Sequence, residues 1–138
     1  MNFAEQSTDF CIKYFSYLRR ISSKLNLTPS QSMCLSTIPA NGISQSDLAK
    51  KLSLDLSTLS RNADKLIKMG LIKRDSSSYD KRISVINLTD KGFSKYSELN
   101  ELLESELNVA FDKFDMDEQN KILEFFNKII WNFELIEK

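Results

Sequence analysis

Apolar residues recur along this chain at spacings of three and four, interrupted in the middle by one short stretch that reads as extended. Phe10, Tyr14, Tyr17, Leu18 and Ile21 predict an amphipathic helix from about Ala4 to Leu25. Thr28-Pro29-Ser30-Gln31 then places a hydroxyl at an N-cap, proline at the first helical position and glutamine three residues after the cap. This predicts a second helix to about Ile38 that carries Met33, Cys34 and Leu35 inward. Pro39-Ala40-Asn41-Gly42 is turn chemistry, and Ser44 with Asp47 opens a short third helix whose buried side is Leu48, Ala49 and Leu52. Past a tight break at Ser53 and Leu54, Asp55 caps a fourth helix. Leu59, Ala63, Leu66 and Ile67 form its stripe, with Ser57, Thr58, Ser60, Arg61, Asp64 and Lys65 opposite.

Gly70 stops that helix, because glycine enters the left-handed cap cheaply. Leu71 to Arg74 and Ile83 to Leu88 follow as strands around a polar tip, Ser76-Ser77-Ser78-Tyr79. From Phe93 the helical spacing returns with Tyr96, Leu99, Leu102, Leu103, Leu107 and Ala110. Asp115 and Glu118 open a last helix bearing Ile122, Leu123, Phe125, Phe126, Ile129, Ile130, Trp131, Phe133, Leu135 and Ile136, apolar nearly all round. A domain this small cannot solvate such a helix, so a second copy of the chain is expected to cover it. The fold class expected is mainly α with a small β-hairpin wing, a winged helix-turn-helix. Residues 1–138 form a single domain in this reading, with 28–92 as the winged lobe and 1–27 plus 93–138 as dimerisation helices.

At 138 residues and 41% hydrophobic the chain can bury one core. No apolar run approaches the roughly 18 residues that span a bilayer, and Glu5 and Asp9 stand where a signal peptide would be positive, so a cytoplasmic protein without a membrane partner is expected. There is no histidine, and Cys11 and Cys34 lack CxxC spacing, which removes zinc sites and Cys-His or Ser-His-Asp catalysis. Asp112, Asp115, Asp117 and Glu118 cluster, but helix capping and dipole complementarity account for them. No enzyme, metal or cofactor is expected.

The net charge of zero hides an uneven distribution. Residues 41–92 carry ten Lys/Arg against six Asp, whereas residues 93–138 carry five against eleven acidic residues. A polyanion would be held by the middle of the chain and repelled by its end. Ser57, Thr58, Ser60 and Arg61 have the chemistry for a major groove, and Lys73, Arg74, Lys81 and Arg82 suit phosphate clamping with one arginine entering a minor groove. Each feature alone also fits a solvated helix face or a hairpin guarded against edge pairing. Capped helix, turn, polar-faced helix, glycine stop and basic hairpin in that order favour double-stranded DNA. The residues leave open a winged module that binds protein through its apolar C-terminal surface instead.

Residues Ser44 to Gly92 resemble the DNA-binding core of the MarR family of bacterial and archaeal regulators. The family's wing pattern, G-L-I-x-R then D-x-R and L-T-x-x-G, is met by Gly70, Leu71, Ile72, Arg74, Asp80, Arg82, Leu88, Thr89 and Gly92. The resemblance implies a triangular, mostly helical homodimer on a pseudo-palindromic operator. Arg82 would enter the minor groove, held by Asp80, while Ser57, Thr58, Ser60 and Arg61 face the major groove and Ser44, Gln45 and Lys65 meet the backbone. It also implies a repressor released by a small aromatic or phenolic effector, with Tyr14, Tyr17, Met33 and Leu35 as candidate pocket neighbours. The missing histidines argue against the zinc-sensing branch. Cys11 lies about two helical turns closer to the Thr28 cap than the peroxide-sensing branch's cysteine, so that branch's role is not carried over, and a thiol-based redox regulator through Cys11 stays an alternative only on the general requirement of reactive thiols for an electropositive, accessible site. Ile67 and Met69 stand where the family more often carries charge.

Overall fold

A computed structural model describes residues 1–137 of the chain. Local capping sets its helices. Asn2 and Glu5 exchange backbone–side-chain hydrogen bonds to open α1 (Phe3–Lys24), and Thr28 and Gln31 do the same for α2 (Pro29–Thr37). The Ser44 hydroxyl accepts from Asp47 N–H at the start of α3 (Gln45–Lys51), and the Asp55 carboxylate accepts from Thr58 N–H at the start of α4 (Leu56–Lys68). The predicted break between them is a left-handed Ser53, φ +53°. Beyond α4 come α5 (Asp90–Phe111) and α6 (Met116–Glu137), the latter opened by reciprocal bonds between Asp115 and Glu118.

Strands β1 (Ile43–Ser44), β2 (Ile72–Ser76) and β3 (Ser84–Leu88) form an antiparallel sheet in the order β1-β3-β2. The hairpin runs further toward its tip than the sequence pattern suggests, with Ser76 still paired to Ser84. Strand β1 is an addition: two residues give no periodicity, and only the pairing of Ile43 with Ile86 and Ser44 with Val85 makes them a strand.

The chain divides into two compact units, Met1–Leu103 and Glu104–Lys138. The first is wider than the expected 28–92 lobe, because α1 supplies Leu18, Ile21 and Leu25 to the same core as Leu35, Leu48, Leu59, Leu66, Leu71 and Ile86. The Ser22 and Ser32 hydroxyls, both fully buried, meet at 2.7 Å and tie α1 to α2 without leaving a polar group unpaired. Several residues of the predicted apolar stripes sit differently: Phe10 and Ala110 are exposed, and Tyr14, Tyr17, Met33, Leu52, Ile67 and Leu102 are only partly buried. In the second unit, Gln119 Nε2 donates to the carbonyls of Phe111 and Phe114, fixing the turn into α6.

The root of the hairpin explains the L-T-x-x-G spacing. The Thr89 hydroxyl donates to the Gly70 carbonyl at 2.6 Å and accepts from Gly92 N–H at 3.0 Å, while Thr89 N–H donates to the Leu71 carbonyl at 3.1 Å. Lys91 Nζ reaches the Met69 carbonyl at 3.0 Å. The start of α5 thus packs so closely on the end of α4 that a Cβ on Gly92 would collide with the Leu71 carbonyl oxygen. Gly70 differs: its φ of +76° needs glycine, but a Cβ there would meet only the Lys91 side chain at ordinary distance. Gly92→Ala should therefore destabilise the protein by about 3 kcal/mol or more, as overpacking against backbone does. Gly70→Ala should cost about 1 kcal/mol, the left-handed penalty alone. Urea unfolding of the two variants checks the order.

Candidate nucleic-acid interface

The polar face of α4 is held in place by its own cap. Asp55 Oδ1 accepts from the Ser57 hydroxyl at 2.7 Å and from Thr58 N–H at 2.6 Å. The Ser57 hydroxyl first, then Thr58, with Arg61 adding its charge, hold the Asp55 carboxyl at about 2, against an ordinary 3.8. Arg61 Nη2 donates to Thr58 Oγ1 at 3.3 Å, and the Thr58 side chain in turn bonds the Asp55 carboxylate, so Arg61, Thr58 and Asp55 form one chain at the start of α4. Arg61 and Lys65 are exposed and Ser60 is half-buried beside them. On the far side Leu59, Ala63 and Leu66 are fully buried, so the helix cannot rotate without exposing its stripe. Asn62 Nδ2 donates to Ser30 Oγ at 2.8 Å and ties α4 to the start of α2, a link across 32 residues that no local pattern reveals.

At the wing, Asp80 and Arg82 form a two-point pair, Nε to Oδ1 at 3.1 Å and Nη2 to Oδ2 at 2.9 Å, with Arg82 N–H also donating to Oδ1 at 3.0 Å. The Arg82 side chain is 90% exposed. The pairing lowers the Asp80 carboxyl and raises the Arg82 guanidinium from their ordinary values, so the pair stays ionised at neutral pH. Lys73 and Lys81 are exposed nearby.

Arg74 is placed otherwise than expected. It shares the inner face of β2 with buried Ile72, and its Nη1 pairs with Asp64 of α4 at 3.1 Å. Nε and Nη2 are shielded from water with no hydrogen-bond partner, so the side chain braces the wing against α4 and offers DNA little surface. Strand alternation could have shown this, since Ile72 and Arg74 are two apart. Ser44 is occupied as the α3 cap, and Gln45 keeps its side-chain oxygen shielded and without a partner.

The candidate pocket neighbours Tyr14, Tyr17, Met33 and Leu35 do not line the clefts on α1 or at the end of α4. Leu35 is fully buried and Met33 packs against the core. Tyr14 is half-buried, its hydroxyl pushed up by desolvation, and Tyr17 lies under the Arg20 guanidinium at 5.0 Å. An open cleft of about 560 Å³ lies instead among Ser23, Asn26, Thr28, Gln31, Lys65 and Lys68. Cys11 is exposed and lines a depression of about 640 Å³ on α1 with Phe15 and Arg19. Burial pushes the Cys34 thiol up to about 11 and leaves it unreactive. Among the described residues no group of three or more His, Cys, Asp or Glu could hold a metal, and no helix is long and apolar enough to cross a membrane.

Comparison with known proteins places this geometry in context. The MarR family sequence profile matches residues 27–84. The HTH-type transcriptional regulator MgrA of Staphylococcus aureus is 28% identical over 125 residues, 86% of this chain and 80% of that protein. The uncharacterized HTH-type transcriptional regulator YdgJ of Bacillus subtilis is 40% identical over 53 residues, 38% of this chain and only 32% of that protein's length. The crystal structure of wild-type apo MarR from E. coli superposes with a TM-score of 0.80 at 25% identity, covering 94% of this chain and 97% of that one.

Two expectations follow from the site. Asp64→Ala would strand the Arg74 guanidinium and lower stability by about 1–2 kcal/mol, measurable by denaturant unfolding. A carboxylate whose value is lowered in the fold supports it above the ordinary value and loses that support as pH falls. The difference in thermal midpoint between wild type and Asp55→Asn should thus be full above about pH 5 and shrink through 3.8 toward about 2.

Proposed function

We propose that the chain is a MarR-type winged-helix transcriptional regulator, a homodimeric repressor that reads a pseudo-palindromic operator through α4 and the wing, a reading supported by the family profile over residues 27–84 and the likeness to MgrA. The observation that carries this reading is the pairing of an exposed, Asp80-held Arg82 with an α4 face of Ser57, Thr58, Ser60 and Arg61, both fixed on one core. A pre-oriented guanidinium loses little freedom on entering a minor groove, and a rigid helix presents its side chains to base edges in register. Lys65, Lys73 and Lys81 then serve as phosphate contacts, with Ser44 and Gln45 at the backbone.

The homodimer is supported by α6, which has no buried residue and exposes Leu123, Phe125, Ile129, Ile130, Phe133, Leu135 and Ile136. Its ion pairs Asp117–Lys121 and Glu124–Lys128 supply the polar side. A second copy is the cover that closed symmetry supplies, and it would present two reading heads to a two-fold site. Relief by a small-molecule effector belongs to the same proposal. Its support is the cleft of about 560 Å³ beside Lys65 and Lys68, where an occupant would bear on the end of the reading helix.

The test is selection of bound duplexes from a random pool, then titration of the selected duplex at several salt concentrations. Arg82→Ala should weaken binding to most sequences and flatten the salt dependence, and Arg61→Ala should cost about 1–3 kcal/mol at particular base pairs only. Unchanged affinity and slope in Arg82→Ala would overturn the wing assignment.

A further inference from the structure

Tyr79 is 98% exposed, more than any other large apolar side chain of the first unit, and it stands among Ser76, Ser77 and Ser78 at the hairpin tip. Among the described residues no aromatic or cation–π contact engages its ring. Its backbone is nevertheless fixed: Tyr79 N–H donates to Ser77 Oγ at 3.2 Å, Ile83 N–H to the Asp80 carbonyl at 3.0 Å, and Ser77 N–H to the Ile83 carbonyl at 2.8 Å. The next residue along, Asp80, is the one that holds Arg82. A closed turn therefore carries an exposed aromatic ring and, three residues further along, an exposed paired guanidinium.

On this basis, and resting on the DNA-binding reading above, we propose that Tyr79 is a second minor-groove contact whose ring packs on the deoxyribose faces beside Arg82. The walls of the groove are sugars with apolar surfaces, and the ring would lose its water only there. The two residues make opposite demands on the duplex. Arginine is drawn to a narrow groove where the potential is most negative, whereas a ring needs a groove that widens or a step that yields. Together they select a narrow segment next to a flexible pyrimidine–purine step, which makes Tyr79 a determinant of sequence preference without a hydrogen bond to any base.

The experiment uses the full chain and the selected duplex, with wild type, Tyr79→Ala, Tyr79→Phe and Arg82→Ala titrated over several salt concentrations. Tyr79→Ala should bind about five- to thirty-fold more weakly with an unchanged salt slope, since an uncharged ring releases no counterions. Tyr79→Phe should stay within about twofold of wild type, because the ring and not the hydroxyl makes the contact. Hydroxyl-radical cleavage should show sugars protected by wild type and exposed in Tyr79→Ala, and the unfolding midpoint should not move, which separates a contact from a folding role. Wild-type affinity in Tyr79→Ala while Arg82→Ala is weakened would overturn this inference and leave the DNA reading standing. A weakened Tyr79→Ala with a flattened salt slope would overturn it as well, by showing that the wing's charge had shifted. Loss of effect in Arg82→Ala would instead overturn the reading on which it rests.

Discussion

One hydroxyl group governs the geometry of the reading surface. Thr89 binds the Gly70 carbonyl on one side and Gly92 N–H on the other, so the end of α4, both ends of the hairpin and the start of α5 meet at a single point. A hairpin of two five-residue strands is marginal by itself. Rooted in this way, and packed through Ile72 and Ile86 on the core, it is anchored to the end of α4 at its base.

A second brace lies further out. The Asp64–Arg74 pair spans from the helix to the inner face of β2, just past the root. Its contribution to stability is modest because Asp64 is more than half exposed, but its geometry matters more than its energy. With the root and the brace both in place, the Arg61 face and the Arg82 tip are tied to one framework, which is what the proposed reading of two grooves requires. Charge is partitioned by the same logic: residues that carry structure, such as Arg74, turn inward, and those without an internal role remain at the rim.

The second unit follows a different rule. Among its described residues helix α6 has none that is fully buried, and its large exposed apolar side chains would make it a liability for a protein that remained single. Residues 93–138 carry an acidic excess that does not attract a polyanion, so the exposed apolar side chains of α6 and the basic residues of α4 and the wing belong to separate stretches of one chain.

How much of this was legible in the residues depends on the range of the forces involved. Helix caps at Thr28, Ser44, Asp55 and Asp115, the glycine stop at Gly70 and the buried stripe of Leu59, Ala63 and Leu66 are local, set by bonds over three or four residues, and the sequence by itself determined them. The winged order of elements was equally readable, whereas the Asp80–Arg82 pair was what the family resemblance implied. Only the tertiary structure decided that Arg74 faces Asp64, that Asn62 reaches Ser30, that Ile43 and Ser44 become a strand and that Gly92 must lack a side chain. Each of these depends on a partner ten or more residues away, and a group's choice between solvent and such a partner is fixed only when packing brings the two together.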